Sequence, residues 1–259
     1  MILKPLRISP SSFSTFFKCS MQYKWAVIDE KLPDEESDNI YAVLGTTLHK
    51  AMELFYTFNL SYDELKKSWK ILFLNFMTEA KNLPKSTEYE SFVSKGYDLL
   101  RNAFELKERW KDWSIVSPEL YYRLPYPNKF IENTHISGRI DLIARKLKQI
   151  AAIDWKTSNK LIKNVDEDPQ MSFYIYCLHL MYKIDYDDIF GVFVHPSLNQ
   201  IIFTQRSEFD IKRTLERIDL MLKRISLNDF KKEPKINNCL NDCTFCPYTR
   251  TCDGIQRTI

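Results

Sequence analysis

The chain has 259 residues, a formal net charge of +3 and 44% hydrophobic residues. This length suits one large domain, or one domain with appendages, and the hydrophobic content allows a sizeable core. The weak positive charge permits nucleic-acid binding without demonstrating it. No apolar run approaches a membrane span, and the first residues lack the apolar core of a secretory signal. We therefore expect a soluble intracellular protein, cytoplasmic or nucleoid-associated, with no membrane partner.

Residues 1–113 are predicted to be mainly helical. Ser9 followed by Pro10 is typical of a helix start, and Ser61 with Glu64 forms a capping box. The helices are expected at about 10–27, 41–58, 62–80 and 87–113.

Strand patterns dominate from residue 115 onward. Strands are predicted at about 115–124, 135–146, 149–157, 189–194 and 200–204, with helices at about 169–183 and 209–226. Strands separated by a helix and accompanied by many helices indicate an α/β domain with a mixed central sheet.

Two acidic residues and a lysine stand out in the second and third predicted strands. Side-chain alternation places Asp154 and Lys156 on one face, and an antiparallel hairpin would bring Asp141 to the end of that face. An Asp in an apolar strand requires compensation by charge or hydrogen bonds. The spacing fits a site for a hard divalent cation beside a water-activating lysine. It fits equally a buried Asp154–Lys156 ion pair, or an edge strand with charges in solvent.

These segments resemble the core motifs of the PD-(D/E)xK nucleases, specifically the RecB-like branch. Gly-Arg-Ile-Asp-Leu at 138–142 and Ile-Asp-Trp-Lys-Thr at 153–157 are similar to the family's Gly-x-x-Asp and Asp-aromatic-Lys-Thr. Gly45 and His49 match its upstream Gly-x-x-x-His helix, and Gln170 and Tyr174 match its downstream Gln-x-x-x-Tyr helix. The motifs occur in the family's order across nearly the whole chain.

The resemblance implies a restriction-endonuclease-like fold, with a mixed central sheet flanked by helices. It implies one RecB-like nuclease domain over 1–259: a mainly helical part (1–113), a nuclease core (114–230) and a Cys-rich cluster-binding tail (231–259), the C-terminal clasp.

The implied activity is that of a metal-dependent DNA nuclease, an exonuclease on single-stranded DNA or DNA ends, in recombination, repair or processing. Mg²⁺ or Mn²⁺ would be held by His49, Asp141, Asp154 and the carbonyl of Trp155. Lys156 would position the attacking water. Gln170 and Tyr174 would contact phosphate or support Lys156.

Six cysteines occur, and Cys239, Cys243, Cys246 and Cys252 fall within fourteen residues. Thiolates at this spacing can hold zinc or an iron–sulphur cluster. The AddB nuclease domain and CRISPR-associated RecB-like exonucleases carry a [4Fe-4S] cluster on one N-terminal and three C-terminal cysteines. That resemblance implies Cys19, Cys243, Cys246 and Cys252 as ligands. Cys239 could replace Cys19 and make the site local, and structural zinc on the four C-terminal cysteines is the alternative. Cys177 fits a core position.

Several further charged residues have more than one interpretation. Glu119 could lie near the metals or face solvent. The basic residues that flank the motifs could contact phosphates or simply be solvated. They are Arg139, Arg145, Lys160 and Lys163. A non-cutting or weakly cutting DNA-binding adaptor, within a larger helicase, recombination or integration complex, is the alternative function. RNA is a further possible substrate. Without a P-loop motif, any unwinding would require a separate helicase.

Overall fold

The computed structural model describes residues 5–34, 40–80, 86–231, 246–248 and 251–252. Its contacts divide the chain into two compact units. The first comprises 1–36, 123–138 and 212–259, and the second comprises 37–122 and 139–211. The predicted division at residues 113 and 230 stays a prediction.

The described chain combines helices and strands, as the predicted α/β class requires. The α-helices are α1 Pro10–Lys18, α2 Ser20–Tyr23, α3 Ile40–Phe58, α4 Tyr62–Glu79, α5 Ser86–Leu106, α6 Pro169–Tyr182 and α7 Glu208–Ser226. The strands are β1 Arg7–Ile8, β2 Ser114–Ser117, β3 Leu120–Pro125, β4 His135–Ile140, β5 Leu142–Lys146, β6 Gln149–Trp155, β7 Ile189–His195 and β8 Gln200–Thr204.

The helix starts follow the capping signals. The Ser9 hydroxyl accepts from the Ser12 N–H, with Pro10 in the first turn. The predicted capping box before α4 is confirmed, because Ser61 and Glu64 exchange side-chain and backbone hydrogen bonds. The predicted continuous helix over 10–27 is wrong, since the chain becomes extended at Cys19 (φ −157°, ψ 106°). α2 and a π-helical turn, Lys24–Ile28, follow this break.

The strands form a five-stranded sheet of order β2-β5-β6-β7-β8 and a three-stranded sheet of order β1-β4-β3. β6 and β7 are parallel, whereas β2–β5, β5–β6 and β7–β8 are antiparallel, so the larger sheet is mixed as predicted. Two predicted strands each divide between the sheets. Residues 115–124 supply parts of β2 and β3, and residues 135–146 supply β4 and β5, interrupted at Asp141.

The second unit has a helical layer on one face of the five-stranded sheet. Alternation directs Ala151, Ile153 and Trp155 to this face, where they join a buried cluster with side chains of α3, α4 and α5. Asp154 points to the opposite face, beside the start of α6. That face also buries apolar residues, such as Phe193, so the charged groups lie in largely apolar surroundings.

Candidate active site

The two predicted carboxylates meet at one end of the five-stranded sheet. Leu142 pairs with Ile153 across β5 and β6, which places the preceding Asp141 beside the carboxyl end of β6. The Trp155 N–H donates to Asp141 Oδ2 at 2.9 Å. The break between β4 and β5 thus directs Asp141 toward the strand that carries Asp154.

Lys156 lies between Asp154 and the first turn of α6. Its Nζ is 2.7 Å from Asp154 Oδ2 and donates to Gln170 Oε1 at 2.7 Å. The Gln170 amide in turn donates to Asp154 Oδ1 at 2.6 Å. Lysine, carboxylate and amide therefore form a closed triangle, in which Gln170 orients both charged groups.

Tyr174 extends this network by one helical turn. Its hydroxyl accepts from Gln170 Nε2 at 2.7 Å and donates to the Arg139 carbonyl at 2.6 Å. The spacing of four residues puts both side chains on the sheet-facing side of α6. The helix is held at its start by Asp168, whose carboxylate accepts from the Gln170 N–H at 2.9 Å.

Asp154 is strongly perturbed by its surroundings. It is only 2% exposed. Burial, together with the charge of Asp141, raises the pKa of Asp154 to about 6, although Lys156 acts in the opposite direction. Its Oδ2 makes the ion pair with Lys156 but no hydrogen bond of ordinary geometry with the described residues. The site therefore carries more negative charge than one lysine offsets, which favours a cation.

His49 of α3 reaches the same group of acids. Its Nδ1 is 3.0 Å from Asp141 Oδ1, and 39% of its side chain is exposed. Desolvation acts to lower the pKa of His49, but the hydrogen bond with Asp141 and the charges of Asp141 and Asp154 outweigh it, so this pKa is raised. One turn earlier, a Cβ on Gly45 would lie 3.2 Å from Thr157 Oγ1. The glycine thus allows α3 close to the end of β6.

The donor types at this site match those of Mg²⁺ or Mn²⁺: two carboxylates and an imidazole nitrogen. As they stand, the described residues contain no group of three or more His, Cys, Asp or Glu side chains placed to hold a metal. The reason is visible in the contacts, since Trp155 holds Asp141 while Lys156 and Gln170 hold Asp154. A cation would have to replace some of these protein donors.

The other predicted charged residues lie outside this network. Glu119 accepts from Arg139 at 3.1 Å, and the arginine side chain is 65% exposed. Arg145, Lys160 and Lys163 are exposed. Their side chains are accessible to phosphate groups, but their positions do not identify a specific role for them.

Sequence reasoning missed Arg206, which fixes the start of α6. The side chain is 1% exposed and donates to the carbonyls of Val165 and Asp168 and to the Ser172 hydroxyl. Burial lowers the pKa of this guanidinium, against the charges of Asp166 and Asp168. Nothing around Arg206 in the sequence distinguishes it from a surface arginine.

A second group of candidate ligands lies in the first unit. Cys239 and Cys243 fall outside the described residues, but Cys19, Cys246 and Cys252 are within them. Burial raises the pKa of Cys246, and the charges of Cys19 and Cys252 act in the same direction. As at the acidic site, the described residues do not form a group of three ligands placed to hold a metal. Cys19 Sγ also accepts from the Gln22 N–H at 3.5 Å. Cys177 is fully buried in the second unit, as predicted for a core position.

Hydrogen bonds connect the segment around Cys246 to the N-terminal region. The Tyr248 hydroxyl donates to the Lys31 carbonyl at 2.9 Å, and the Asp34 N–H donates to the Pro247 carbonyl at 2.7 Å. The Thr251 N–H donates to Asp34 Oδ2 at 2.9 Å. These contacts hold the segment that carries Cys246 and Cys252 against Lys31 and Asp34, in the same unit as Cys19.

A mixed α/β fold with two acids and a lysine at the end of its sheet defines a class of phosphodiester-cleaving enzymes. The family model of the PD-(D/E)XK nuclease superfamily matches residues 7–253. The chain therefore belongs to this superfamily, whose members are enzymes that act on nucleic acid and typically use Mg²⁺ or Mn²⁺.

Two further comparisons add little to this assignment. A solved structure entitled "Crystal structure of SSO0001" matches with 13% identity and a TM-score of 0.32, over 93% of this chain and 96% of that one. No curated protein gives a significant match.

Within the described residues, no helix combines the length and apolar character needed to cross a membrane.

Proposed function

We propose that the protein is a metal-dependent DNA nuclease of the RecB-like branch, an exonuclease acting on single-stranded DNA or DNA ends. The observation that carries this proposal is the Asp154–Lys156–Gln170 triangle beside Asp141. It joins a buried excess of negative charge to an ammonium group held in one orientation.

Four residues would hold the cation: His49, Asp141, Asp154 and, through its carbonyl, Trp155. When bound, Mg²⁺ or Mn²⁺ supplies Lewis-acid activation of water and of the scissile phosphate. The raised pKa of Asp154 shows how unfavourable its buried charge is without a cation. Metal binding and ionisation of this carboxyl are therefore expected to reinforce one another.

Lys156 would orient the attacking water and offset the charge that develops on the phosphate. Its side chain is 27% exposed, so the ammonium is open to a substrate while its direction is fixed from behind by Gln170. Preorganised donors of this kind lower the barrier because they need no rearrangement during reaction. Gln170 and Tyr174 act on the reaction through Lys156, Asp154 and the backbone of Arg139.

For the cysteines we propose a [4Fe-4S] cluster on Cys19, Cys243, Cys246 and Cys252. The hydrogen bonds that join residues 247–251 to Lys31 and Asp34 support ligands taken from both ends of the chain. Two alternatives remain. Cys239 could replace Cys19 as a ligand, and the bound metal could be zinc. The cluster would form the C-terminal clasp of a single nuclease domain, acting intracellularly on DNA with helicase or recombination proteins as possible partners.

A second function, DNA binding without efficient cutting, is favoured by one observation. The Asp154–Lys156 ion pair and the Gln170 hydrogen bonds give both groups protein partners without a metal, as expected of a site that binds without cutting. An adaptor within a larger complex could use the same surface.

A cleavage assay separates the two functions. Labelled single-stranded, duplex and circular DNA would be incubated with Mg²⁺, Mn²⁺ or EDTA. Metal-dependent cutting that spares circles is expected, and cutting of circles would make the enzyme an endonuclease. Binding without cutting, by protein that retains its cysteine-bound metal, would favour the adaptor; RNA substrates of the same sequence test the preference for DNA.

A further inference from the structure

His195 lies on the sheet face that carries the candidate active site, but it is not part of the sequence motifs. It ends β7, which runs parallel to β6, with Asp154 opposite Phe193 and Trp155 opposite Val194. The ladder continues as the Lys156 N–H donates to the Val194 carbonyl at 2.8 Å. Since side chains alternate, His195 lies on the same sheet face as Asp154 and Lys156, at the carboxyl ends of two parallel strands.

The His195 ring is completely buried and incompletely paired. Its exposure is 0%, and neither ring nitrogen makes a hydrogen bond of ordinary geometry with the residues that the structure describes, although the Ser158 backbone interacts with the ring. A neutral imidazole carries one donor and one acceptor, so with the Ser158 carbonyl near the donor it is the acceptor nitrogen that is left unmatched. Buried polar groups in native proteins are nearly always paired, and an exception calls for an explanation. A phenylalanine would fill this position without that cost.

The surroundings of His195 are fixed and include Lys156. Asn102 Nδ2 donates to the Pro196 carbonyl at 2.8 Å, and the Ser197 hydroxyl donates to the Ser158 carbonyl at 2.7 Å. Burial lowers the pKa of His195, the Ser158 carbonyl opposes this change, and the charge of Lys156 lowers the pKa further. A neutral ring near an ammonium group is suited to accept a hydrogen bond from it.

Lys156 would lose a partner if Asp154 held a cation. Its ammonium contacts Asp154 Oδ2 and Gln170 Oε1, and the proposed metal would draw on the Asp154 carboxylate. We propose that His195 is a positioning residue, whose ring nitrogen then accepts a hydrogen bond from Lys156 and keeps the ammonium directed at the substrate. This inference rests on the proposed nuclease function and adds a fourth group to the Asp154–Lys156–Gln170 triangle.

The first test compares His195→Phe with His195→Gln by single-turnover cleavage in Mn²⁺. The Phe variant keeps an aromatic ring, slightly larger than imidazole, but cannot accept a hydrogen bond, whereas the Gln variant can. We expect the Phe variant to cleave DNA at least about tenfold more slowly than wild type. Its melting temperature should not fall, and its affinity for DNA in Ca²⁺ should not change. The Gln variant should recover most of the rate. Wild-type cleavage by the Phe variant, equal loss in both variants, or a loss that follows a lower melting temperature would overturn the proposal.

The second test does not need activity and uses the four histidines of the chain. Ring-nitrogen NMR signals of Ca²⁺-loaded protein are recorded for wild type and Lys156→Met, with His195 assigned from its Gln variant. A shift of the His195 acceptor nitrogen on loss of the ammonium supports the contact, and no shift refutes it. If wild-type protein cuts nothing, the nuclease proposal fails for the isolated chain, while this measurement still decides the role of His195.

Discussion

The acidic site draws four side chains from residues 141–170, whereas the proposed cysteine site would join residue 19 to residues 246 and 252. In the first, each carboxylate already has protein donors, so the geometry exists before any metal arrives. In the second, segments from the two ends of the chain must meet, and closing so long a loop costs chain entropy. Metal at the acidic site should therefore govern activity, and metal on the cysteines should govern stability.

The largest expected effect is that of Lys156→Ala on cleavage. Loss of the ammonium removes the donor for the water and the charge opposite the phosphate, and a rate loss of roughly 10²- to 10³-fold is expected. Lys66→Ala, on α4, is the matched control and should cleave normally. A Lys156→Ala protein that cuts at the wild-type rate would leave the acidic site without its proposed chemistry.

Cys246→Ser should lower the stability of the protein and its visible absorption, without acting directly on the acidic residues Asp141 and Asp154. A cluster that ties both chain ends contributes its binding energy to folding, so the variant should lose absorption near about 400 nm and melt well below wild type. Cys177→Ala, in the core of the second unit, should keep both the iron and the absorption. Colourless wild-type protein that holds zinc would replace the cluster with the alternative metal.

Asp154→Asn should stabilise the metal-free protein, by an amount that depends on pH. Folding raises the pKa of Asp154 from 3.8 to about 6. The carboxyl therefore contributes its full stability below about pH 4 and loses it as the pH rises through about 6. At pH 8 the Asn variant should be more stable by up to about 3 kcal/mol, with no difference near pH 4.

Denaturant unfolding in EDTA at both pH values measures this difference. Added Mn²⁺ should raise the melting temperature of the wild type but not of the variant. A variant that is less stable than wild type at pH 8 in EDTA would show that the Lys156 ion pair outweighs the burial of the charge.

Tyr174→Phe should have a smaller effect. Removal of the hydroxyl leaves the Arg139 carbonyl and one Gln170 donor without their partner, at a cost of about 1–2 kcal/mol. Cleavage should fall only a few-fold, because Gln170 retains its bonds to Lys156 and Asp154. Thermal unfolding and single-turnover rates measure the two effects, with Tyr121→Phe, an exposed tyrosine, as control.

Glu119→Gln should have the smallest effect. Its partner Arg139 is well exposed, and surface ion pairs contribute less than about 1 kcal/mol. Mn²⁺ affinity, measured by calorimetry, should be unchanged. A clear loss of affinity would instead show that Glu119 belongs to the metal site.

The sequence was most informative where its signals are local. Alternation alone predicts that Asp154 and Lys156 share a face, and the spacing of Gln170 and Tyr174 predicts a shared helix face; the structure shows both. The mixed sheet and the Ser61–Glu64 capping box are confirmed for the same reason. The functional roles of these residues stay predictions, since geometry alone does not test them.

Other features depend on contacts that a sequence pattern does not encode. Apolar residues continue past Cys19, from Phe13 and Phe16 to Tyr23, so the helix break leaves no periodic signal. A strand pattern likewise continues through Asp141, although its two halves join different sheets. The buried positions of Arg206 and His195 arise from packing of distant segments, so neither residue type reveals them.

Gly45 has an evolutionary consequence. Because a methyl group at this position would approach Thr157 Oγ1 to 3.2 Å, the two residues share one small space. Lineages of this family that replace the glycine by alanine should therefore carry a smaller side chain in place of Thr157, or accept a displaced His49. Paired substitution at these two positions in related sequences would show how narrow the gap between α3 and the end of β6 is.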